Sequence, residues 1–274
     1  MRRAPGRLVL VGHPVAHSLS PALQNAALRY AGLPITYEAI DVHPDALAPA
    51  VQRLLTARAA GNVTIPHKEA MARHCARVDP VAERVGAVNT FRVADDDVLE
   101  GTNTDVGGFD ALAREVGALR PGARVAVLGA GGSAAAVITA LERWSGASVS
   151  LYNRTKPRAE ALRARFPIVE VVAATADEAV RDATVVVNAT SLGLRADDPL
   201  PVRIESLRPE AAVLDLVYRP HETAWVRAAR ARKHPAVDGL CMLLEQGALA
   251  FEWWFGIGAP RDVMRHALRA AARE

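Results

Sequence analysis

The 274-residue chain has little lysine, little cysteine, few aromatics and no long apolar run. Lysine and arginine together number 33, yet lysine supplies only Lys68, Lys156 and Lys233. Acidic residues number 30 and interrupt the basic ones throughout, so the formal net charge is only +3. That dispersal lacks the basic stripe of an electrostatic nucleic-acid binder, and no nucleic-acid partner is expected. Two cysteines, Cys75 and Cys241, are too few for a disulfide framework or a four-thiolate metal site. Two free thiols fit a reducing, cytoplasmic setting. No His, Cys and Asp cluster has convincing ligand spacing, so no metal is expected. The start through Arg7 has the look of an export n-region, but the apolar run after it, Leu8 to Val11, is too short for a signal core. The longest charge-free stretch, Val125 to Leu141, is interrupted by Gly129, Gly131 and Gly132. It falls short of the roughly 20 apolar residues of a membrane span, so no membrane partner is expected.

What is present is 50% hydrophobic residue, enough for one large core or two smaller ones. In the first half, strands are expected at Leu8–Val11, Thr36–Ile40 and Asn62–Ile65, the last ended by Pro66. Helices are expected at Pro21–Tyr30, with Ser20 as N-cap, at Asp45–Arg58, and from Lys68. Ala87–Val93 and Val98–Gly101 read as a hairpin turning at Asp95-Asp96-Asp97. A Gly-rich turn at Asp105–Gly108 marks a domain boundary. Strands then recur at Val125–Leu128, Ser148–Tyr152, Val169–Val172, Thr184–Asn188 and Ala212–Leu216, most of them separated by helical patterns. Such alternation with Val-rich strands argues for a parallel sheet covered on both faces. Two final helices, Leu240–Phe255 and Arg261–Ala271, follow. Their Trp253-Trp254-Phe255 cluster suits the core or a dimer contact, and a homodimer stays open.

Val125–Leu128 runs into Gly129-Ala130-Gly131-Gly132-Ser133-Ala134 and then into a helix-compatible run. This is the strand, glycine loop and helix that a dinucleotide pyrophosphate requires. Gly129 permits the tight turn, Gly131 lets backbone approach the phosphates, and the helix N-terminus faces the anion. The next strand leads into Asn153-Arg154-Thr155-Lys156-Pro157-Arg158, with no carboxylate to accept from a ribose 2′-hydroxyl. Arginine can bind a 2′-phosphate bidentately, so NADP is the expected cofactor. Arg154 is the main reader, Thr155 a hydroxyl donor and Arg158 a helper, with Lys156 read as a solvated helix residue.

Four further segments are more polar than a plain core needs. They are Ser18-Leu19-Ser20-Pro21, Asn62 to Lys68, Gly86 to Thr90, and Gly101 to Asp105. Read alone, Ser18 and Ser20 serve a helix start or, with its free N–H groups, make a carboxylate site. Lys68 is either an exposed helix-start residue or a cation able to give up a proton, which arginine is not. Asp105 is either a helix-start carboxylate or the partner of Lys68. Asn62, Thr64, Asn89 and Gln246 are neutral donors and acceptors suited to a polyol ring.

Together with Asn153-Arg154-Thr155 and the late Asp238 to Leu243 and Gln246, these segments closely resemble the shikimate dehydrogenase family, in order, from Gly12 to Gly256. The resemblance implies NADP-linked interconversion of 3-dehydroshikimate and shikimate, a small-molecule substrate. It implies an α/β fold of two domains: an N-terminal α/β substrate domain, 1–106, completed by C-terminal helices at 241–274, and a Rossmann-like doubly wound NADP-binding domain, 107–240. By the same resemblance Lys68 and Asp105 are a catalytic pair, and Ser18 and Ser20 hold the substrate carboxylate. Asn62 and Asn89 contact ring hydroxyls, with Thr64, Gln246 and Tyr218 nearby. Asn188 to Gly193, with Thr190, should line the nicotinamide side at the strand ends. Leu216 and Gly239 match positions near the nicotinamide. An Arg that many members carry after the glycine loop is missing here. Alternatives are a quinate or aminoshikimate dehydrogenase on the same fold, or a non-catalytic NADP-binding sensor that would not need Lys68 with Asp105.

Overall fold

Short runs, many of them rich in Val, Ala and Leu, form the strands, and the helices between them pack apolar residues against the sheets. A computed structural model describes residues 4–273. The positions Met1 to Arg3 of the export-like start lie outside the described residues, as does Glu274. The chain divides into two compact units, one of Met1–Asp105 with Leu243–Glu274 and one of Val106–Met242.

The first unit contains β1 (Arg7–Gly12), α1 (Ser20–Tyr30), β2 (Tyr37–Asp41), α2 (Leu47–Thr56), β3 (Ala59–Val63), α3 (Lys68–His74), β4 (Arg77–Val78), α4 (Pro80–Val85), β5 (Thr90–Val93) and β6 (Leu99–Thr102). Its sheet has the order β2-β1-β3-β5-β6-β4. β1 runs parallel to β2 and β3, whereas β5 is antiparallel to β3 and β6. Val9, Val11, Leu47, Val51, Leu54, Val63, Met71 and Phe91 pack one face. In the second unit come α5 (Asp105–Glu115), which starts at the last residue of the first, then β7 (Arg124–Leu128), α6 (Gly132–Leu141), β8 (Ser148–Tyr152), α7 (Lys156–Arg165), β9 (Val169–Val172), α8 (Ala176–Val180), β10 (Val185–Asn188), β11 (Ala212–Asp215), α9 (Ala224–Ala231) and β12 (Ala236–Val237). Its sheet is parallel throughout, in the order β12-β11-β10-β7-β8-β9. The chain winds outward from β7 through β9 and restarts on the other side at β10, so the strand order reverses between β7 and β10. In doubly wound sheets that reversal is where ligands bind, at the carboxyl ends of the strands. α10 (Leu240–Phe255) and α11 (Arg261–Ala271) close the chain.

The α/β architecture agrees with the sequence reading, and several local expectations change. Ser20 is not an N-cap. Leu19 precedes the helix with φ −85° and ψ −3°, and α1 begins at Ser20 itself. The helical backbone of Leu19 removes the extended geometry that a capping side chain needs. Ser18 Oγ instead accepts from Ser20 N at 3.2 Å. β3 starts at Ala59, ahead of the expected Asn62, because small residues fit the middle of the sheet: a Cβ on Gly61 would lie 2.0 Å from Val9 O. Gly107 and Gly108, read as a turn, lie inside α5. Trp254 is buried and donates its indole N–H to Phe91 O at 3.1 Å, so it belongs to the core of the first unit. Among the described residues no helix is long and apolar enough to cross a membrane.

Candidate functional site

In the first unit, the strand ends and the loops after them are stitched together by backbone hydrogen bonds. Thr64 N donates to Val11 O at 2.9 Å and His13 N to Ile65 O at 3.0 Å. These tie the β1–α1 loop, which carries Ser18, to the β3–α3 loop, which carries Thr64 and leads to Lys68. A Cβ on Gly12 would lie 2.4 Å from Thr64 Cγ2, so only glycine lets the two loops approach this closely. Val63 N donates to Asn89 O at 2.8 Å, and Val88 N to Lys68 O at 2.9 Å. Asn89 is thereby held beside both the end of β3 and the start of α3.

Lys68 Nζ meets Asp105 Oδ2 at 2.6 Å, with side-chain exposures of 14% and 6%. The pair is nearly out of water, where a charge is tolerated only with partners. Asp105 Oδ1 accepts from Asn89 Nδ2 at 2.7 Å, and the Asp105 amide donates to Asn103 Oδ1 at 3.1 Å. As the first residue of α5, the carboxylate also sits at the positive end of a helix dipole. Asn89 Oδ1 accepts from Thr104 N at 2.8 Å and from Thr90 Oγ1 at 3.0 Å. Asn62 Nδ2 donates to Thr90 Oγ1 at 3.0 Å, and Asn62 Oδ1 accepts from Tyr37 OH at 2.8 Å. A continuous polar chain therefore runs from Tyr37 through Asn62, Thr90, Asn89 and Asp105 to Lys68. The sequence reading names Asn62, Asn89, Asp105 and Lys68. It assigns nothing to Tyr37, Thr90, Asn103 or Thr104, although the last three fall inside the polar segments it singles out.

Gln246 is brought to the same unit by α10. Gln24 Nε2 of α1 donates to Gly247 O at 2.9 Å, and a Cβ on Gly247 would strike Leu23 at 2.4 Å. The two helices thus touch beside Gln246, whose own amide donates to Leu243 O at 2.9 Å. Tyr218 lies in the second unit, after β11.

In the second unit, Gly129 has φ +115°, a backbone that side chains rarely adopt, and a Cβ there would lie 2.7 Å from Ala189 O. Gly131 is the N-cap of α6, with open space where its Cβ would be. Gly132, Ser133 and Ala134 form the first turn of α6, which has no side-chain cap and no acidic residue. Ala130 stands between the two turn glycines. At the end of β8, Asn153 Nδ2 donates to Thr155 O at 2.8 Å. Thr155 is the N-cap of α7, and Arg154, Thr155, Lys156 and Arg158 are all exposed. Thr190 follows β10, Leu216 follows β11, and Gly239 N donates to Val217 O at 3.0 Å.

Sequence reasoning missed Asp215. It is fully buried at the end of β11 and accepts from Asn188 Nδ2, Val217 N and Thr223 Oγ1 at 2.8, 3.1 and 2.8 Å. Burial pushes its carboxyl up to about 6 despite those three donors. A strand-terminal Asp carries no signal of its burial in one sequence. Among the described residues no group of three or more His, Cys, Asp and Glu could hold a metal ion.

Residues 10–91 match the shikimate dehydrogenase substrate binding domain, residues 111–194 match shikimate / quinate 5-dehydrogenase, and residues 239–269 match the shikimate 5′-dehydrogenase C-terminal domain. The chain is 47% identical to the shikimate dehydrogenase (NADP(+)) of Rubrobacter xylanophilus, over 94% of each chain. It is 43% identical to that of Symbiobacterium thermophilum, over 98% of this chain and 96% of the relative. The crystal structure of shikimate 5-dehydrogenase from Thermus thermophilus in complex with NADP(H) and shikimate superimposes with a TM-score of 0.86 at 41% identity, covering 97% of this chain and 99% of that one.

Proposed function

Because the chain belongs to the shikimate dehydrogenase family, we propose that it catalyses the NADP-dependent, reversible reduction of 3-dehydroshikimate to shikimate, the step that serves chorismate and aromatic amino-acid biosynthesis. The observation that carries the reading is the nearly buried Lys68–Asp105 pair at 2.6 Å, at the end of a chain of neutral hydrogen-bonding side chains. Reduction of a ketone leaves charge on the carbonyl oxygen, and Lys68 can supply the proton that quenches it. In the oxidative direction the same amine takes the proton back. Asp105 holds the Lys68 ammonium, and Asn89 fixes the carboxylate by binding its other oxygen. Ser18 and Ser20, at the start of α1, are suited to a substrate carboxylate. Asn62, Thr64, Asn89 and Gln246 are suited to ring hydroxyls. A site lined this way rejects an analogue that lacks a hydroxyl, because a buried donor or acceptor is then stranded.

The second unit fits NADP. When bound, NADPH supplies the hydride. The uncapped first turn of α6, reached across the Cβ-free backbone of Gly131, offers N–H groups to a pyrophosphate together with Ala130, Gly132 and Ser133. Arg154, with Asn153, Thr155 and Arg158, presents cations and a hydroxyl with no carboxylate in the segment, which suits a 2′-phosphate. Thr190, Leu216 and Gly239 line the strand ends where the nicotinamide would lie. Two free cysteines accord with a cytoplasmic location.

The test is oxidation of NADPH by the purified protein with 3-dehydroshikimate, compared with 3-dehydroquinate, and repeated with NADH. Turnover is expected with 3-dehydroshikimate and NADPH. Absence of oxidation with every combination would overturn the reading, and preference for 3-dehydroquinate would reassign the substrate.

A further inference from the structure

We propose that Asp215 is a positioning residue for the nicotinamide end of the cofactor site, fixing the two loops after β10 and β11 through one buried carboxylate. The inference rests on the NADP reading above.

Both loops converge on this side chain. Asp215 pairs in register with Asn188, the last residue of β10. Its Oδ1 accepts from Asn188 Nδ2 and Val217 N, and its Oδ2 from Thr223 Oγ1. Asn188 passes the constraint on. Its Oδ1 accepts from Thr190 N at 3.1 Å and Thr190 Oγ1 at 2.6 Å, while its Nδ2 also donates to Leu192 O at 3.0 Å. The turn 189–192 is thus wrapped around the Asn188 amide, and that amide is held by Asp215. On the other side, Val217 N and Thr223 Oγ1 are the two ends of the β11–α9 loop, and Thr223 also caps α9 by accepting from Val226 N at 3.2 Å. Between them His221 and Glu222 adopt φ of +65° and +94°, which non-glycine residues avoid, so the loop needs an external tie.

These loops leave little room to shift towards the glycines beneath them. A Cβ on Gly129 would lie 2.7 Å from Ala189 O, and one on Gly239 would lie 2.3 Å from Leu216 O. A loop displaced by loss of the carboxylate would therefore carry Thr190 and Leu216 with it, while the glycine turn stays held from the β8 side by Gly129 N donating to Tyr152 O at 2.8 Å. The adenine end, at Arg154 on the far side of β7, is not tied to this network. An apolar residue at 215 would be simpler to bury, but it would leave an amide, a hydroxyl and a backbone N–H without acceptors. Retaining a carboxylate, with its proton affinity raised by burial, is explained by those three donors.

The experiment uses the full chain with Asp215→Ala, Asp215→Asn and Thr223→Val. It measures kcat, KM for NADPH, KM for 3-dehydroshikimate, and the Kd of adenosine 2′,5′-bisphosphate, which carries the adenine half alone. Asp215→Ala is expected to raise KM for NADPH or lower kcat by about tenfold to a hundredfold, as misplacement of a reacting group does. Kd for the bisphosphate should stay within about twofold, because the contacts at Arg154 are untouched by the loops. Asparagine keeps the Oδ1 acceptor and can donate to the Thr223 hydroxyl oxygen, so Asp215→Asn should restore most of the loss. Thr223→Val, which removes one tie, should show the same split more weakly. Unchanged NADPH kinetics in Asp215→Ala and Thr223→Val would overturn the proposal. So would parallel loss of bisphosphate binding, which marks collapse of the unit and not misplacement of the loops; if Asp215→Ala does not fold, Thr223→Val decides. Failure of the unsubstituted protein to bind the bisphosphate would instead overturn the NADP reading, and the inference with it.

Discussion

The carboxyl of Asp215 gives a stability prediction separate from its role in the loops. Burial pushes it up to about 6, against an ordinary aspartate value of 3.8. The folded chain therefore binds this proton more tightly than the unfolded chain does. The resulting stabilisation is complete below about pH 4 and is lost as pH rises through about 6. Roughly two pKa units at about 1.4 kcal/mol each make the total about 3 kcal/mol. Asp215→Asn cannot ionise and removes this dependence. In urea unfolding, the stability difference between the two proteins should move in favour of asparagine by about 2 kcal/mol from about pH 4.5 to about pH 7.5. Asp238, itself pushed up by burial, adds its negative charge to the rise at Asp215 and so belongs to the difference, whereas Arg230 and Glu222 act on Asp238 in both proteins. A difference that stays flat across this range would refute the reasoning, because Asp215 would then ionise alike in both states.

Lys68→Ala should lower kcat by about 10²–10⁴ with a smaller change in KM for 3-dehydroshikimate, read by steady-state kinetics; unchanged turnover would remove Lys68 from the proton transfer. Arg154→Asp should raise KM for NADPH far more than KM for NADH, since a carboxylate repels the 2′-phosphate and not the hydroxyl; equal changes would move the 2′-phosphate elsewhere. Gly247→Ala places a Cβ 2.4 Å from Leu23 Cδ2 and 3.3 Å from Gln24 Nε2, so α1 and α10 must part. Thermal unfolding should show a loss of about 1–3 kcal/mol, and an unchanged Tm would mean that Leu23 can rotate away.

The elements read most accurately are those with a clean period or a clear stop. β8, β9, α10 and α11 fall on the expected residues, because short strands of alternating or β-branched residues flanked by turn residues, and helices with apolar residues at helical spacing, leave no competing pattern. β4, β12, α4 and α8 escape a reading from sequence, being two to six residues long, too short to carry a period. Ser20 shows a different limit. Its residue type suits a cap, but the backbone at Leu19 decides where the helix begins. In the site, Lys68 stands out by residue type against a background of arginine, and the glycine loop stands out by its context after β7. The contribution of Tyr37 is hidden, because its hydroxyl reaches Asn62 across two strands, and an aromatic at the start of a strand reads as core. Asp215 is hidden for the same reason. Its importance lies in burial and in three donors, two of them more than five residues away in sequence.

The first unit is assembled from two separated segments of the chain, and this sets when its parts can pack during synthesis. Gln24 reaches Gly247 across 223 residues, Phe91 accepts from Trp254 across 163, and Arg92 donates to Trp253 across 161. Val106–Met242, by contrast, is continuous and emerges whole before the last helices are made. At roughly 5–20 residues per second, the nascent Met1–Asp105 segment waits on the order of ten seconds or more for α10. During that interval its sheet carries Phe91 without its indole partner and α1 without the backbone of Gly247. Val106–Met242 can thus close on itself before α10 is made, while the N-terminal sheet packs fully only once Gly247, Trp253 and Trp254 have followed.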